Sequence, residues 1–142
     1  MAKVEGTIHI NAPPEQVLEA VLDIPRLPEV IPSLEKVWDI QGHGAGCTYQ
    51  WQYKMSGVSF EGSAELTEAT PEQLTLNTSG VIPSTWMYEF SPAADGTDLK
   101  LSVEYTVPGS VLGALADKLV VERQNKKEVD EALVNLKARL EK

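Results

Sequence analysis

The sequence is poor in the residues that staple, anchor or ligate. One cysteine, Cys47, leaves no partner for an internal disulfide, which fits a reducing compartment. Two histidines and that cysteine fall short of the four ligands of a structural zinc site. His43 and Cys47 stand four apart, but on a turn and a strand start, and His9 lies in the polar phase of another strand. We therefore expect no metal and no cofactor, with Cys47 as a small buried apolar residue. No run approaches the roughly 20 apolar residues of a membrane span. Met1–Gly6 lacks the apolar core of a signal peptide, so the expected location is cytoplasmic, without integral membrane association. Basic residues are scarce: 12 Lys and Arg against 21 Asp and Glu give a net charge of −9, which repels phosphate backbones and argues against nucleic acid. No Gly-rich phosphate loop and no Gly-x-Ser-x-Gly elbow occurs, and no histidine falls in an inward phase to serve as a base.

What is present is ordinary globular material. The 142 residues are 42% apolar and 23% charged, enough for one domain with a real core. Val4 to Ile10 alternates as a strand with one wet face. Asn11-Ala12-Pro13-Pro14-Glu15 reads as a helix start, with Asn11 or Ala12 at the cap and a proline in the first turn. Val17, Leu18, Val21 and Leu22 have helical spacing, and Pro25 and Pro28 confine Ile24 to Ile31 to a second short helix.

From Leu34 the period changes to two. The clearest case is Cys47, Tyr49, Trp51, Tyr53 and Met55, alternating with Thr48, Gln50, Gln52 and Lys54. Further alternating runs carry Val58 to Leu66, Leu74 to Thr78, Trp86 to Phe90 and Leu99 to Tyr105, separated by short turns. Consecutive strands on short turns are antiparallel neighbours. Ala114 to Leu140 then has helical spacing without Gly or Pro, about 40 Å of helix. Strands grouped together with helices at the ends specify an α+β fold. We expect a curved antiparallel sheet of about seven strands wrapped around the long C-terminal helix, two short helices after the first strand, and one domain over residues 1–142.

This order, with Ile8-His9-Ile10-Asn11-Ala12-Pro13-Pro14-Glu15-Gln16-Val17 near the start, resembles the helix-grip superfamily. That group holds START lipid-binding domains, the birch-pollen-allergen family and bacterial polyketide cyclase/dehydrase-like proteins. Trp51-Gln52-Tyr53-Lys54-Met55-Ser56-Gly57, Glu104-Tyr105-Thr106-Val107-Pro108-Gly109 and Leu136-Lys137-Ala138-Arg139-Leu140-Glu141 are similar to the small bacterial members. The resemblance spans nearly the whole chain and rests on caps, turns and core residues. It implies a cavity between sheet and helix and apolar ligands such as lipids, isoprenoids or polyketides, without implying one activity.

Tyr49, Trp51, Tyr53, Phe60, Trp86, Tyr88, Phe90 and Tyr105 share the inward phase of their strands. Taken singly, each fits plain core packing. Together, tyrosines and tryptophans on one concave face suit a pocket with a few polar handles. Gly62 and Ala64 in the same phase free volume or serve a bend that needs small residues, and both can hold at once. On the long helix, Leu115, Leu119, Glu122, Lys126, Val129, Leu133, Leu136 and Leu140 recur at steps of three and four. Glu122 and Lys126 interrupt this stripe, so either the helix overhangs solvent there or the pair roofs a wet cavity. We expect the second, each neutralising the other, with Arg123 alongside and Asn125, Lys127 and Glu128 on the surface.

Tyr49, Trp51, Tyr53, Phe60, Trp86, Tyr88, Tyr105, Leu119, Glu122 and Lys126 are thus the expected contacts of a hydrophobic small molecule. Two functions compete: a non-catalytic binder or carrier, and a polyketide cyclase or aromatase working in the same cavity. The strands turn inward tyrosine hydroxyls, a threonine and a thiol but no acid or base, which favours the binder. A third reading is an interaction module with an apolar patch outside the pocket.

Overall fold

The computed structural model describes residues 2–55, 57–109 and 118–141, the side chains of Lys118 and Leu119 excepted. Its elements are β1 (Ala2–Ile10), α1 (Pro14–Leu22), a 3-10 turn (Ile24–Arg26), α2 (Leu27–Val30), β2 (Leu34–Gln41), β3 (Thr48–Met55), β4 (Val58–Ala69), β5 (Gln73–Gly80), β6 (Ser84–Ala93), β7 (Gly96–Tyr105) and a long α3 (Lys118–Leu140). The strands form one antiparallel sheet in the order β1-β7-β6-β5-β4-β3-β2. Each short turn joins spatial neighbours, and β1 closes onto β7. This is the expected α+β helix-grip architecture. The expected helix start at Ala114 and the contacts of Leu115 and Leu119 lie outside the described residues.

The entry to α1 differs slightly from expectation. Pro13 is the cap, with extended backbone and no side-chain hydrogen bond, and Pro14 opens the helix. A proline at the first helical position loses nothing, since its missing N–H would have had no partner inside the helix.

Alternation along the strands separates a buried face from a wet one because successive side chains point to opposite sides. Tyr49, Trp51 and Met55 on β3 are buried, as are Phe60, Ala64 and Leu66 on β4 and Leu99, Leu101, Val103 and Tyr105 on β7. Cys47 is also buried.

Helix α3 packs along β1, with further contact on β7, α1 and α2. Its close approach depends on Gly6: a Cβ there would lie 2.9 Å from Asp130 Oδ1 and 3.1 Å from Leu133 Cδ1. Polar clamps fix the helix along that edge. Lys126 Nζ donates to the Glu5 carbonyl (2.8 Å), Lys137 Nζ to the His9 carbonyl (2.7 Å) and Asn135 Nδ2 to the Val30 carbonyl (2.8 Å). Arg139 pairs with Asp23 at 2.8 Å. With the helix held toward β1 and β7, the concave face of the central strands is left to line a pocket.

Candidate functional site

The pocket is built from rows of side chains that cross the sheet. Strand register places Tyr49 beside Ala64, Ala64 beside Thr78, Thr78 beside Ser84 and Ser84 beside Tyr105. The adjacent row runs from Trp51 to Gly62 to Gly80. Two glycines in succession leave the space that the Trp51 indole occupies: a Cβ on Gly62 would lie 2.5 Å from Trp51 Cζ2 and would also meet the Ser79 carbonyl oxygen. The space that the missing side chain of Gly62 leaves is thus filled by the Trp51 ring.

Tyr49, Trp51, Tyr53, Phe60, Trp86 and Tyr105 line this pocket together with Met55, Leu76, Thr78, Ser84 and Val103 from the strands. Ile31, Leu34, Ile82 and Asn125 complete the wall. Its volume is about 90 Å³. An apolar cavity of about 150 Å³ is known to take up benzene. This pocket thus matches one end of a small ligand, and a lipid-sized molecule has to part the walls or extend through the mouth. Among the described residues no charged side chain lines it.

Three expected contacts belong elsewhere. Tyr88 is 2% exposed and stacks against Phe90, with ring centroids 6.4 Å apart and planes 9° from parallel. It lies farther along β6 than Ser84 and Trp86, among the buried core residues and outside the pocket wall. Glu122 and Lys126 are exposed. Lys126 bonds Asp130 (2.9 Å) and the Glu5 carbonyl instead of pairing with Glu122 across a cavity. Both sit with Arg123 along the exposed side of the helix.

The buried stripe of α3 is Val121, Asn125, Glu128, Val129, Ala132, Leu133 and Leu136. Its N-terminal half is turned by one residue from the expected stripe, about 100° around the helix. Asn125 and Glu128, expected at the surface, are 8% and 5% exposed. Asn125 contributes to the pocket wall. The Glu128 carboxylate accepts two bonds from Ser33, one from the backbone N–H (2.7 Å) and one from the hydroxyl (2.8 Å). Nothing in the period of the helix singled these two out. The β5 and β7 wall residues shared the inward phase of their strands, whereas Ile82, in a turn, carried no periodic signal at all.

Burial raises the pKa of the Tyr49, Tyr53 and Tyr88 phenols, so near neutral pH they are hydrogen-bonding groups rather than bases. For Tyr53, the nearby Glu128 charge adds to the rise and the hydrogen-bonded Ser33 hydroxyl opposes it. Burial also raises the pKa of Glu128, against the two Ser33 bonds that favour its charged form. The folded state thus holds this proton more tightly than the unfolded chain does. The resulting loss of stability is absent below the ordinary carboxylate value of 4.5, grows as pH rises through the folded value, and is complete above it. Glu128→Gln should flatten this part of the pH–stability curve and change neutral stability by less than about 1 kcal/mol, because an amide keeps the shape and one acceptor. Glu128→Ala should cost about 1–3 kcal/mol by leaving the Ser33 donors without an acceptor. Urea unfolding from about pH 4 to 8 measures both.

Among the described residues no three His, Cys, Asp or Glu side chains converge as metal ligands, and no helix is long and apolar enough to cross a membrane.

A curved antiparallel sheet gripping a long C-terminal helix, with an apolar concavity on its inner face, is a helix-grip fold. The chain belongs to the polyketide cyclase/dehydrase and lipid transport family, whose model matches residues 1–141. Solved structures share the fold. A Thermus thermophilus protein, TTHA0849, is 22% identical with a TM-score of 0.84, over 98% of this chain and 97% of that one. The Zhui aromatase/cyclase of a Streptomyces species is 18% identical with a TM-score of 0.73, over 97% and 94%. A START superfamily protein of Mycobacterium smegmatis is 16% identical with a TM-score of 0.74, over 98% and 97%. At these identities the likeness is one of fold. Comparison with curated protein sequences gives no match.

Proposed function

We propose that the chain binds or carries a hydrophobic small molecule, one end of which occupies the pocket between the sheet and α3. The observation that carries this reading is the wall itself: aromatic and aliphatic side chains around a concavity of about 90 Å³, with a few uncharged polar groups and no charge among the described residues. A lipid, isoprenoid or polyketide-like molecule fits that chemistry, and the family includes lipid transport in its description.

The experiment is a titration with neutral apolar compounds, from single-ring aromatics to isoprenoids. A ligand in the pocket should change Trp51 or Trp86 emission and raise the melting temperature, since binding to the native state stabilises it by about 2.7 kcal/mol at a hundred times Kd. Trp86→Ala should weaken binding more than it alters the far-ultraviolet spectrum. If saturating ligands move neither emission nor melting temperature, the binder reading falls.

A cyclase or aromatase is the second reading, and one observation favours it. Tyr53 lines the pocket, and its phenol, kept protonated by burial and by the nearby Glu128 charge, is a group able to donate a hydrogen bond to a substrate oxygen. Glu122 and Lys126, being exposed, drop out of both readings. An enzyme should lose about 10²-fold or more in turnover with Tyr53→Phe while still binding its substrate. A binder should show only a modest change in affinity.

A further inference from the structure

The wall of the pocket is not uniform. Its residues on β5, β6 and the turn between them, Leu76, Thr78, Ile82, Ser84 and Trp86, are half-buried, whereas those on β4, β7 and α3 are buried. The described wall is therefore most open on the β5–β6 side, and that side carries a hydroxyl cluster. Thr78 Oγ1 and Ser84 Oγ lie 2.6 Å apart. The Trp86 indole N–H donates to Ser84 Oγ (3.1 Å), and the Ser84 backbone N–H donates to Thr78 Oγ1 (3.1 Å). A hydroxyl has one hydrogen and two lone pairs, and the contact between the two oxygens takes one hydrogen. If Thr78 supplies it, Ser84 Oγ accepts twice and its own hydrogen is not used within the cluster. If Ser84 supplies it, Thr78 Oγ1 accepts twice, and its hydrogen is left to the Ser84 carbonyl at a long 3.4 Å. One lone pair on Ser84 Oγ is then not used within the cluster. By the turning of one hydrogen, Ser84 Oγ offers either a donor or an acceptor.

We propose that Ser84 Oγ, oriented by Thr78 and Trp86, is the polar contact of the pocket, and that the ligand is an apolar body bearing an uncharged hydroxyl, an alcohol or phenol. This deepens the binder reading and rests on it. A ligand hydroxyl accepts from Ser84 in one state of the pair and donates to it in the other, so both states serve it. A carboxylate can only accept, and among the described residues the wall holds no Lys, Arg or His to meet its charge. Leaving water therefore costs a carboxylate far more than it costs an alcohol. The buried aromatic wall, Tyr49, Trp51 and Phe60, belongs to β3 and β4. The apolar body thus points toward those strands, and the hydroxyl stays on the more open β5–β6 side.

The test uses three probes that share a phenyl ring and a short chain: propylbenzene, 2-phenylethanol and 3-phenylpropanoate. The first two differ only by a methyl group against a hydroxyl. Ser84→Ala should weaken 2-phenylethanol about 3- to 10-fold, the worth of one hydrogen bond, and leave propylbenzene within about 2-fold. Thr78→Val keeps the side-chain shape and leaves Ser84 Oγ a hydrogen and a lone pair, so it should weaken the alcohol less than Ser84→Ala does. A larger loss in Thr78→Val overturns the assignment to Ser84. The unaltered chain should bind 3-phenylpropanoate more weakly than 2-phenylethanol. Should Ser84→Ala fail to fold, 1H–15N spectra of the unaltered chain carry the test. The Trp86 indole N–H signal, identified by its loss in Trp86→Phe, should move farther with 2-phenylethanol than with propylbenzene. The two probes share a ring, and only the alcohol bonds the oxygen to which this indole donates. Equal movement of that signal, or weakening by Ser84→Ala of both probes alike or of neither, overturns the proposal. With propylbenzene still bound to the unaltered chain, the binder reading then stands. 3-Phenylpropanoate bound as tightly as 2-phenylethanol overturns the choice of an uncharged head. If neither neutral probe binds the unaltered chain, the proposal and the binder reading fall together.

Discussion

Leu133→Ala should lower the unfolding free energy by about 2–5 kcal/mol. Leu133 is 2% exposed and stands over Gly6, flanked on its helix face by Val129 and Leu136. The glycine beneath it has no side chain that could move into the hole. The helix backbone also has little freedom to settle, because Lys126 and Lys137 tie it to the carbonyls of Glu5 and His9 on either side. Both facts place the loss in the upper part of the range, since the cost of a truncation grows with the cavity that remains. Denaturant unfolding at constant m reads the change directly. Val134→Ala, one residue on and 57% exposed, should stay within about 0.5 kcal/mol. If the two variants behaved alike, a different face of α3 would be in contact with the sheet.

Gly62→Val should damage both stability and the pocket. A Cβ at this position meets the Ser79 carbonyl oxygen of β5 and the Trp51 ring of β3, so a backbone neighbour and an aromatic neighbour must yield together. Overpacking of this kind costs about 1–3 kcal/mol. A branched side chain cannot share the space with the indole, so Trp51 should leave its place and change its fluorescence. Any ligand held against that ring should bind about tenfold or more weakly, a loss equivalent to one good contact. Gly62→Ala should show both effects in lesser degree, because its methyl group already meets the Ser79 oxygen and the Trp51 ring but adds the least volume. Unchanged emission and melting temperature in the valine variant would show that β4 and β5 are spaced differently from this description.

The strands were legible because their code is local and rigid. A period of two assigns each side chain to one face or the other whatever the neighbours are, so Tyr49, Trp51, Phe60, Leu101 and Tyr105 could be turned inward before any partner was known. The helix was legible as a helix but not in its orientation. Val129, Leu133 and Leu136 fit two overlapping stripes, one continuing through Glu122 and Lys126, the other through Val121, Asn125 and Glu128. Each stripe holds two polar residues, so hydrophobicity alone does not choose between them. The choice is made by Ser33, nearly a hundred residues away, whose N–H and hydroxyl provide a site for a buried carboxylate. It is made also by Asp130 and the Glu5 carbonyl, which hold Lys126 at the surface.

The sequence by itself determined the α+β class, the run of antiparallel strands, the grip on a C-terminal helix and the inward phase of the aromatics. All of these follow from spacing along the chain and from turns too short to allow other connections. Only the tertiary structure decided which inward aromatics border the pocket: Trp86 does, while Tyr88, two residues along the same strand face, lies in closed core. It alone decided that Trp86 finds an acceptor in Ser84 while Trp51 finds none among the described residues. A period states which side of a sheet a residue occupies. Where that side meets a helix, and where sheet and helix part to leave room for a ligand, is fixed by contacts between segments distant in the chain, and no local pattern carries them.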